Sequence, residues 1–301
     1  MTSSFVSATG VDEALSALAG GARPVAGGTD LVVGARQGKT PLPESLVAIH
    51  GLDELRGASA SDRSLRLGAL VTHAEIAAHP VVCERLTALA DASSIVGSHA
   101  TRAQGTLGGN LMNASPAMEV GGPLIVFGAD VTLRSGAGER QVAVADLATG
   151  PGTTVAEPAE LLTEVEIPLP PEGTGSAYVR LEYRRQMEIA VVGATAAVTI
   201  AGGRVAWAGV AITALAPTIK LVPDAEEALI GSDGGAAAVG EAARATAAAA
   251  EPISDVRASA DYRRAMAEVV ARRVVSAAVA RARGETVAVP ASSTLFAGGA
   301  S

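Results

Sequence analysis

Two glycine turns constrain this chain more than any other feature. The first is Val25-Ala26-Gly27-Gly28-Thr29-Asp30-Leu31. The second opens the run Gly105-Thr106-Leu107-Gly108-Gly109-Asn110-Leu111-Met112-Asn113-Ala114-Ser115-Pro116-Ala117-Met118-Glu119, where three glycines fall within five residues. Around the first turn, residues 23–26 read as a short strand and residues 31–37 as a helix closed by Gly38. A strand, a glycine turn and a helix N-terminus in that order leave backbone N–H groups free, and the missing Cβ atoms let an anion approach. Residues 95–115 are small, polar and glycine-rich, and such a stretch is too long for a routine connection. Neither turn carries the Gly-Lys-Ser/Thr of a Walker loop or the G-x-G-x-x-G dinucleotide pattern. Each alone reads as an ordinary turn. Together, each flanked by Thr and an amide or acid and each followed by a candidate helix, they read as two halves of a grip on a diphosphate. A dinucleotide such as FAD, lying along a domain cleft, would suit that grip.

The remaining pattern supplies a scaffold. Val11, Ala14, Leu15 and Leu18 share one helical face, and Asp12 and Glu13 favour the positive end of that helix. Residues 45–49 and 64–70 read as strands. Thr72 caps a helix over residues 73–78, with Glu75 as its capping-box partner. A longer helix is expected over residues 81–92 and another over 116–127. Strands follow at 130–134, 141–144 and 161–167. Residues 169–175, with Pro170-Pro171 and two glycines, read as a domain linker. Beyond it come strands over 177–183, 193–200 and 204–213, the last two joined by a Gly202-Gly203 hairpin. Helices over 225–230, 236–249 and 260–282 complete the pattern. Three strands followed by three helices suggest a separate α+β domain. Residues 284–301 read as a poorly ordered tail.

Composition narrows the function. The 301 residues should hold two domains, or one large one with subdomains. The net charge of −8 argues against nucleic acid or an anionic membrane as the main partner. Cys83 is the single cysteine, so this chain cannot by itself ligate zinc or an iron–sulfur cluster through four thiolates. The four histidines are scattered, without the i, i+4 pair of a helical metal site. No secretory leader and no membrane-spanning run are read, which points to a cytoplasmic protein. Cys83 is expected to pack on its helix, and His73 and His79 to be solvated. Arg272, Arg273, Arg281 and Arg283 are expected on an exposed helix face. His99 and the pair Arg184-Arg185 lie close enough to the expected cleft to be contacts there.

The two turns, the step Ser115-Pro116-Ala117 and the later block Pro252-Ile253-Ser254-Asp255-Val256-Arg257-Ala258-Ser259, followed by Tyr262-Arg263, resemble the FAD-binding subunit of molybdenum hydroxylases. That group includes the xanthine dehydrogenase-like and carbon monoxide dehydrogenase-like enzymes. The resemblance runs from about residue 5 to about residue 282. It implies an α+β fold: a two-subdomain FAD-binding domain of the PCMH type over residues 1–172 (about 1–55 and 56–172), then a domain over 173–283 with a three-stranded antiparallel sheet and a three-helix bundle. It further implies that both turns bind the FAD diphosphate through backbone N–H groups, Val25, Ala26, Gly27, Gly28, Thr29, Asp30 and Leu31 on one side and Thr106, Leu107, Gly108, Gly109 and Asn110 on the other. Glu119 would take the place of the family's acid at the ribose, Arg180 that of a cation near the flavin, and Leu162 that of an apolar flavin contact.

By the same resemblance this chain relays electrons. A large partner would hold the molybdenum cofactor and a small one two [2Fe–2S] clusters, in a dimer of heterotrimers, with NAD or another acceptor taking electrons from the FAD. Thr29-Asp30 stands where carbon monoxide enzymes carry His-Ser, which tilts the expected substrate towards a heterocycle, aldehyde or aromatic compound. The rival readings are a self-sufficient FAD-dependent oxidase or reductase, which needs a positioned acid or base, and a non-catalytic nucleotide-binding module.

Overall fold

The computed structural model describes residues 4–38, 40–184 and 186–291. The first layer is a three-stranded parallel sheet. Ser45–Ala48 lies at its centre, flanked by Ser4–Ser7 and Arg23–Val25. Parallel neighbours need a crossover, and Val11–Ala19 supplies one, burying Val11, Ala14, Leu15 and Leu18 as its periodicity predicts. The strand Ser4–Ser7 is exposed throughout, so it lacks the alternation that would have announced it.

A five-stranded antiparallel sheet follows, in the order Ala58–Ala60, Ser64–Gly68, Leu161–Pro168, Asp130–Ser135, Gly138–Ala143. Its centre strand, Leu161–Pro168, is the last of the five in sequence. The chain between Gly68 and Asp130 is a largely helical excursion over this sheet, and its two flanking strands are joined only by the later Leu161–Pro168, which pairs with both. The main core fills the space beneath it, with Leu65, Leu67, Val131, Leu133 and Val165 from the sheet and Leu86, Leu89, Leu107, Leu111 and Leu124 from the helices.

Local expectations inside the excursion hold in part. Thr72 and Glu75 form the reciprocal capping box, with Thr72 N–H to Glu75 Oε2 at 2.7 Å. The single helix expected over 81–92 is two helices, Pro80–Arg85 and Thr87–Ile95, broken at the fully buried Leu86. The break has a tertiary cause. Thr87 donates its hydroxyl to the Ser176 carbonyl at 2.6 Å, and the Ala88 N–H donates to Ser176 Oγ at 3.0 Å. A residue 88 positions away thus caps the second helix. The helix expected from 116 starts only at Gly121 and ends at Val126. The long stretch 95–115 is not bare loop either, since it contains the short helices His99–Gln104 and Leu107–Met112.

The second half carries a four-stranded antiparallel sheet, Thr174–Leu181, Val192–Ala201, Arg204–Thr213 and the two-residue Lys220–Leu221. The last strand is too short to leave a periodic signal. Ala177, Val179, Val192, Ala194, Ala196, Val198, Val210 and Ile212 pack on the helices Pro223–Leu229, Ala236–Ala248 and Ala260–Ala282 in a second core. The opposite face is polar. Pairing sets Tyr178 opposite Thr195, Arg180 opposite Gly193, and Gly193 opposite Thr213. Strand alternation puts all of these on one side, and that side meets the first half of the chain. Gly121 and Gly122 permit the contact: an added Cβ would sit 2.3 Å from Ile219 Cδ1 and 2.4 Å from Thr195 Oγ1 respectively.

Asp91 ties the halves together. Fully buried, it accepts from Arg281 Nη1 at 2.6 Å and Nη2 at 3.0 Å, from Tyr178 N–H at 3.1 Å and from Ala291 N–H at 2.9 Å. Arg281 is therefore a buried ion-pair partner, not part of an exposed arginine face. Residues 287–291 of the expected tail fold back onto this pair, with Arg281 Nη2 to Ala288 O at 2.8 Å and Ala291 buried. Residues 292–301 lie outside the described residues. Among the described residues, no helix is long and apolar enough to cross a membrane.

Candidate functional site

The two glycine turns meet. An added Cβ on Gly27 would lie 1.9 Å from the Gln104 carbonyl oxygen and 3.3 Å from the Gly105 nitrogen. On the other side, an added Cβ on Gly105 would lie 3.4 Å from Thr29 Oγ1. Turns separated by nearly eighty residues of sequence thus touch backbone to backbone, which only glycine allows. Gly28 adopts φ +66°, the left-handed region that favours glycine.

Their donor supply is unequal. None of the N–H groups of Gly27, Gly28, Thr29 and Asp30 donates to a protein group among the described residues. They precede the helix Leu31–Arg36, which has no buried residue and leaves Val32 and Val33 exposed. The second turn is otherwise engaged. Leu107 N–H donates to Val71 O at 2.9 Å and Gly108 N–H to Ala69 O at 2.9 Å. Gly109 N–H donates to Thr106 Oγ1 at 3.2 Å. The picture of a second grip made of successive free N–H groups therefore needs correcting, because Leu107, Gly108 and Gly109 spend theirs within the fold. Thr106 lies in an antiparallel bridge opposite Thr72, and its N–H makes no bond inside the protein among the described residues. Asn110 Oδ1 is enclosed without a partner, and a buried polar atom left unpaired signals a missing partner. The N–H groups of Gly27 to Asp30, the Thr106 N–H and the Asn110 amide fit a diphosphate with its neighbouring sugar.

Glu119 and Arg180 come together. They are 6% and 3% exposed and form an ion pair, with Arg180 Nε also donating to Glu182 Oε2 at 2.6 Å and Nη1 to Glu188 O at 3.3 Å. Burial raises the Glu119 carboxyl above the ordinary carboxylate range, and the Arg180 charge opposes the rise. The pair joins the two halves of the chain. Leu162 is placed differently from the others. It is 3% exposed and belongs to the main core with Leu107 and Leu111, behind the second turn.

Three placements escaped the sequence. His73, expected to be solvated, is 1% exposed with Nδ1 unpartnered, and its Cδ2 would lie 3.4 Å from an added Cβ on Gly105. Burial first, then the nearby Arg102 charge, lower its pKa from 6.5 to about 4. Arg102 is 9% exposed on the helix before the second turn. Cys83 is exposed, with Sγ near Ala77 O at 3.2 Å, where packing was expected. His99 is exposed beside Arg102, and Arg184 is exposed and paired with Glu188 at 3.4 Å. Arg185 lies outside the described residues. Alternation of Ser176, Tyr178 and Arg180 against Ala177, Val179 and Leu181 was the signal that could have revealed the polar sheet face.

The His73 placement carries a pH prediction. A histidine whose folded pKa is depressed binds fewer protons than in the unfolded chain, so stability falls as pH drops from about 6.5 towards about 4. Denaturant titrations across that window should show the slope in wild type and a flatter one in His73→Gln. Equal slopes would show that His73 does not contribute.

These turns, with their free donors and a glycine-mediated seat, are matched by a family model. Residues 1–170 match the FAD binding domain in molybdopterin dehydrogenase. The chain belongs to that family. Residues 177–278 match the carbon monoxide dehydrogenase flavoprotein C-terminal domain. The carbon monoxide dehydrogenase medium chain of Afipia carboxidovorans is 32% identical over 269 residues, covering 89% of this chain and 93% of that one. The 6-hydroxypseudooxynicotine dehydrogenase complex subunit alpha of Paenarthrobacter nicotinovorans is 30% identical, covering 93% and 95%. Among solved structures, carbon monoxide dehydrogenase from Hydrogenophaga pseudoflava, in a form lacking the Mo-pyranopterin moiety, superposes with a TM-score of 0.89 at 30% identity over 93% of this chain and 98% of that one. Quinoline 2-oxidoreductase from Pseudomonas putida 86 gives 0.87 at 29% identity, over 94% and 98%. The chain is thus the FAD-binding subunit of an oxidoreductase of the molybdenum hydroxylase family.

Proposed function

We propose that this chain relays electrons between partner subunits and a soluble acceptor. A large partner with the molybdenum cofactor would oxidise the organic substrate, and a small partner with two [2Fe–2S] clusters would deliver the electrons here, to be handed to NAD or another acceptor. The assembly would be a dimer of heterotrimers in the cytoplasm. The FAD supplies storage for two electrons, and the chain's own residues hold and tune it. Gly27, Gly28, Thr29 and Asp30 offer N–H groups to its diphosphate, joined by Thr106 and Asn110. Residues 1–172 form the binding domain, in subdomains of about 1–55 and 56–172, and residues 173–283 cover it with the polar sheet face that carries Arg180.

One observation favours the relay over a self-sufficient oxidase or reductase. Among the described residues, the buried carboxylates are Asp91 and Glu119, and each is bound to an arginine. Neither is poised as a general base for an organic substrate. Thr29-Asp30 in the first turn favours a heterocycle, aldehyde or aromatic compound as the substrate of the complex. Purification from the native source should recover this chain with a molybdenum subunit and a cysteine-rich small subunit, and denaturation should release FAD. NADH added to the isolated chain should bleach the flavin if NAD is the acceptor. Rapid oxidation of an organic substrate by the isolated chain would overturn the relay.

A further inference from the structure

Arg102 is a nearly buried cation to which the fold gives no carboxylate among the described residues. It stands on the helix His99–Gln104, three residues before Gly105, and is 9% exposed. Nη1 donates to Val96 O at 2.9 Å, and Nη2 lies 3.2 Å from His99 Nδ1. Neither acceptor is a carboxylate, and no Asp or Glu pairs with Arg102 among the described residues. A guanidinium carries five N–H donors, so these two contacts leave donors over. Nε makes no hydrogen bond among the described residues and is not among the enclosed atoms lacking a partner, so that donor is not sealed in the core.

Two contacts fix where that space lies. The same helix ends in Gln104, whose carbonyl is the seat of Gly27. At its other end, Gly97 O accepts from Met187 N–H at 2.9 Å, in the loop that supplies the Glu188 carbonyl to Arg180. Arg102 therefore stands between the diphosphate turns and the Arg180 region. Its charged neighbours do not neutralise it: burial first, then the Arg180 charge, lower its proton affinity. A buried charge without a counter-ion is unfavourable, and an arginine recognises anionic oxygen or nitrogen through charge-assisted hydrogen bonds.

We propose that Arg102 is an anion-binding residue of the FAD site, its guanidinium facing an anionic part of the dinucleotide. Two parts have that chemistry, the diphosphate and the pyrimidine edge of the reduced flavin. The proposal rests on FAD occupying the cleft between the two turns and Arg180.

The test uses the full chain stripped of flavin and re-titrated with FAD, and the flavin midpoint potential of the reloaded protein, for wild type, R102Q and R102K. R102Q should weaken FAD binding by about tenfold, equivalent to ~1.4 kcal/mol, or lower the midpoint potential, and R102K should recover most of the loss. Weaker binding of oxidised FAD at an unchanged potential assigns the diphosphate. Unchanged binding of oxidised FAD with a lowered potential assigns the flavin edge. If R102Q does not fold, R102M keeps the buried stem without the charge and repeats both measurements. FAD binding within about twofold of wild type together with an unchanged midpoint potential in folded R102Q or R102M would overturn the proposal, as would an R102K as impaired as R102Q. Failure of wild type to bind FAD would instead overturn the site reading beneath it, and the proposal with it.

Discussion

Replacing Gly27 by alanine is expected to empty the chain of FAD and to lower its stability. The added methyl would sit 1.9 Å from the Gln104 carbonyl oxygen and 2.6 Å from its carbon. Both are backbone atoms, so no side chain can rotate away, and the two turns must part. Overpacking of this kind typically costs about 1–3 kcal/mol. The functional loss is expected to be larger, because the free N–H groups of Gly27 to Asp30 and the Thr106 N–H would no longer converge. Gly109 is the contrast. It is exposed, and an added Cβ there meets only Thr106 Oγ1, at 2.9 Å. Gly109→Ala should therefore keep most of its stability while losing flavin to a blocked approach. Flavin content per chain and thermal midpoints decide the matter. Full flavin and an unchanged midpoint in Gly27→Ala would show that the seat does not matter.

Arg180→Met is expected to destabilise the fold by about 3–5 kcal/mol, because it strands Glu119 as an unpaired buried charge. Glu119→Leu should cost a similar amount by stranding Arg180. The double variant should regain much of the loss, since well-packed apolar residues often replace a buried pair without penalty. The cycle is read by denaturant unfolding of the flavin-free chain. Strictly additive losses would mean that the pair contributes no coupling. Acid should soften the Arg180→Met defect, because burial already raises the Glu119 carboxyl and a protonated Glu119 is neutral.

The glycine turns were legible because their chemistry is local. A strand end, two small residues and a helix start announce a turn with free N–H groups without reference to the rest of the chain. The capping box at Thr72 and Glu75 was legible for the same reason. The helix break at Leu86 was not, since its cause is a hydroxyl on Ser176 in the other half of the molecule. His73 and Arg281 read as solvated polar residues on helices. Their burial depends on what packs over them, Gly105 for one and Asp91 with residues 287–291 for the other. The second turn was read as a row of free donors, and its edge contact with Ala69 and Val71 has no signature in the sequence.

By itself, the sequence determined the two glycine turns, the α+β order of elements and the family. The tertiary structure decided how those parts act on one another. It seated Gly27 on Gln104, gave the donor supply chiefly to the first turn, locked Glu119 to Arg180 across the two halves, and left Arg102 without a carboxylate among the described residues. The physical reason is range. Backbone conformation and helix starts are set by neighbours in sequence, whereas burial, counter-ions and backbone-to-backbone contact are set by residues that meet only when the chain has folded.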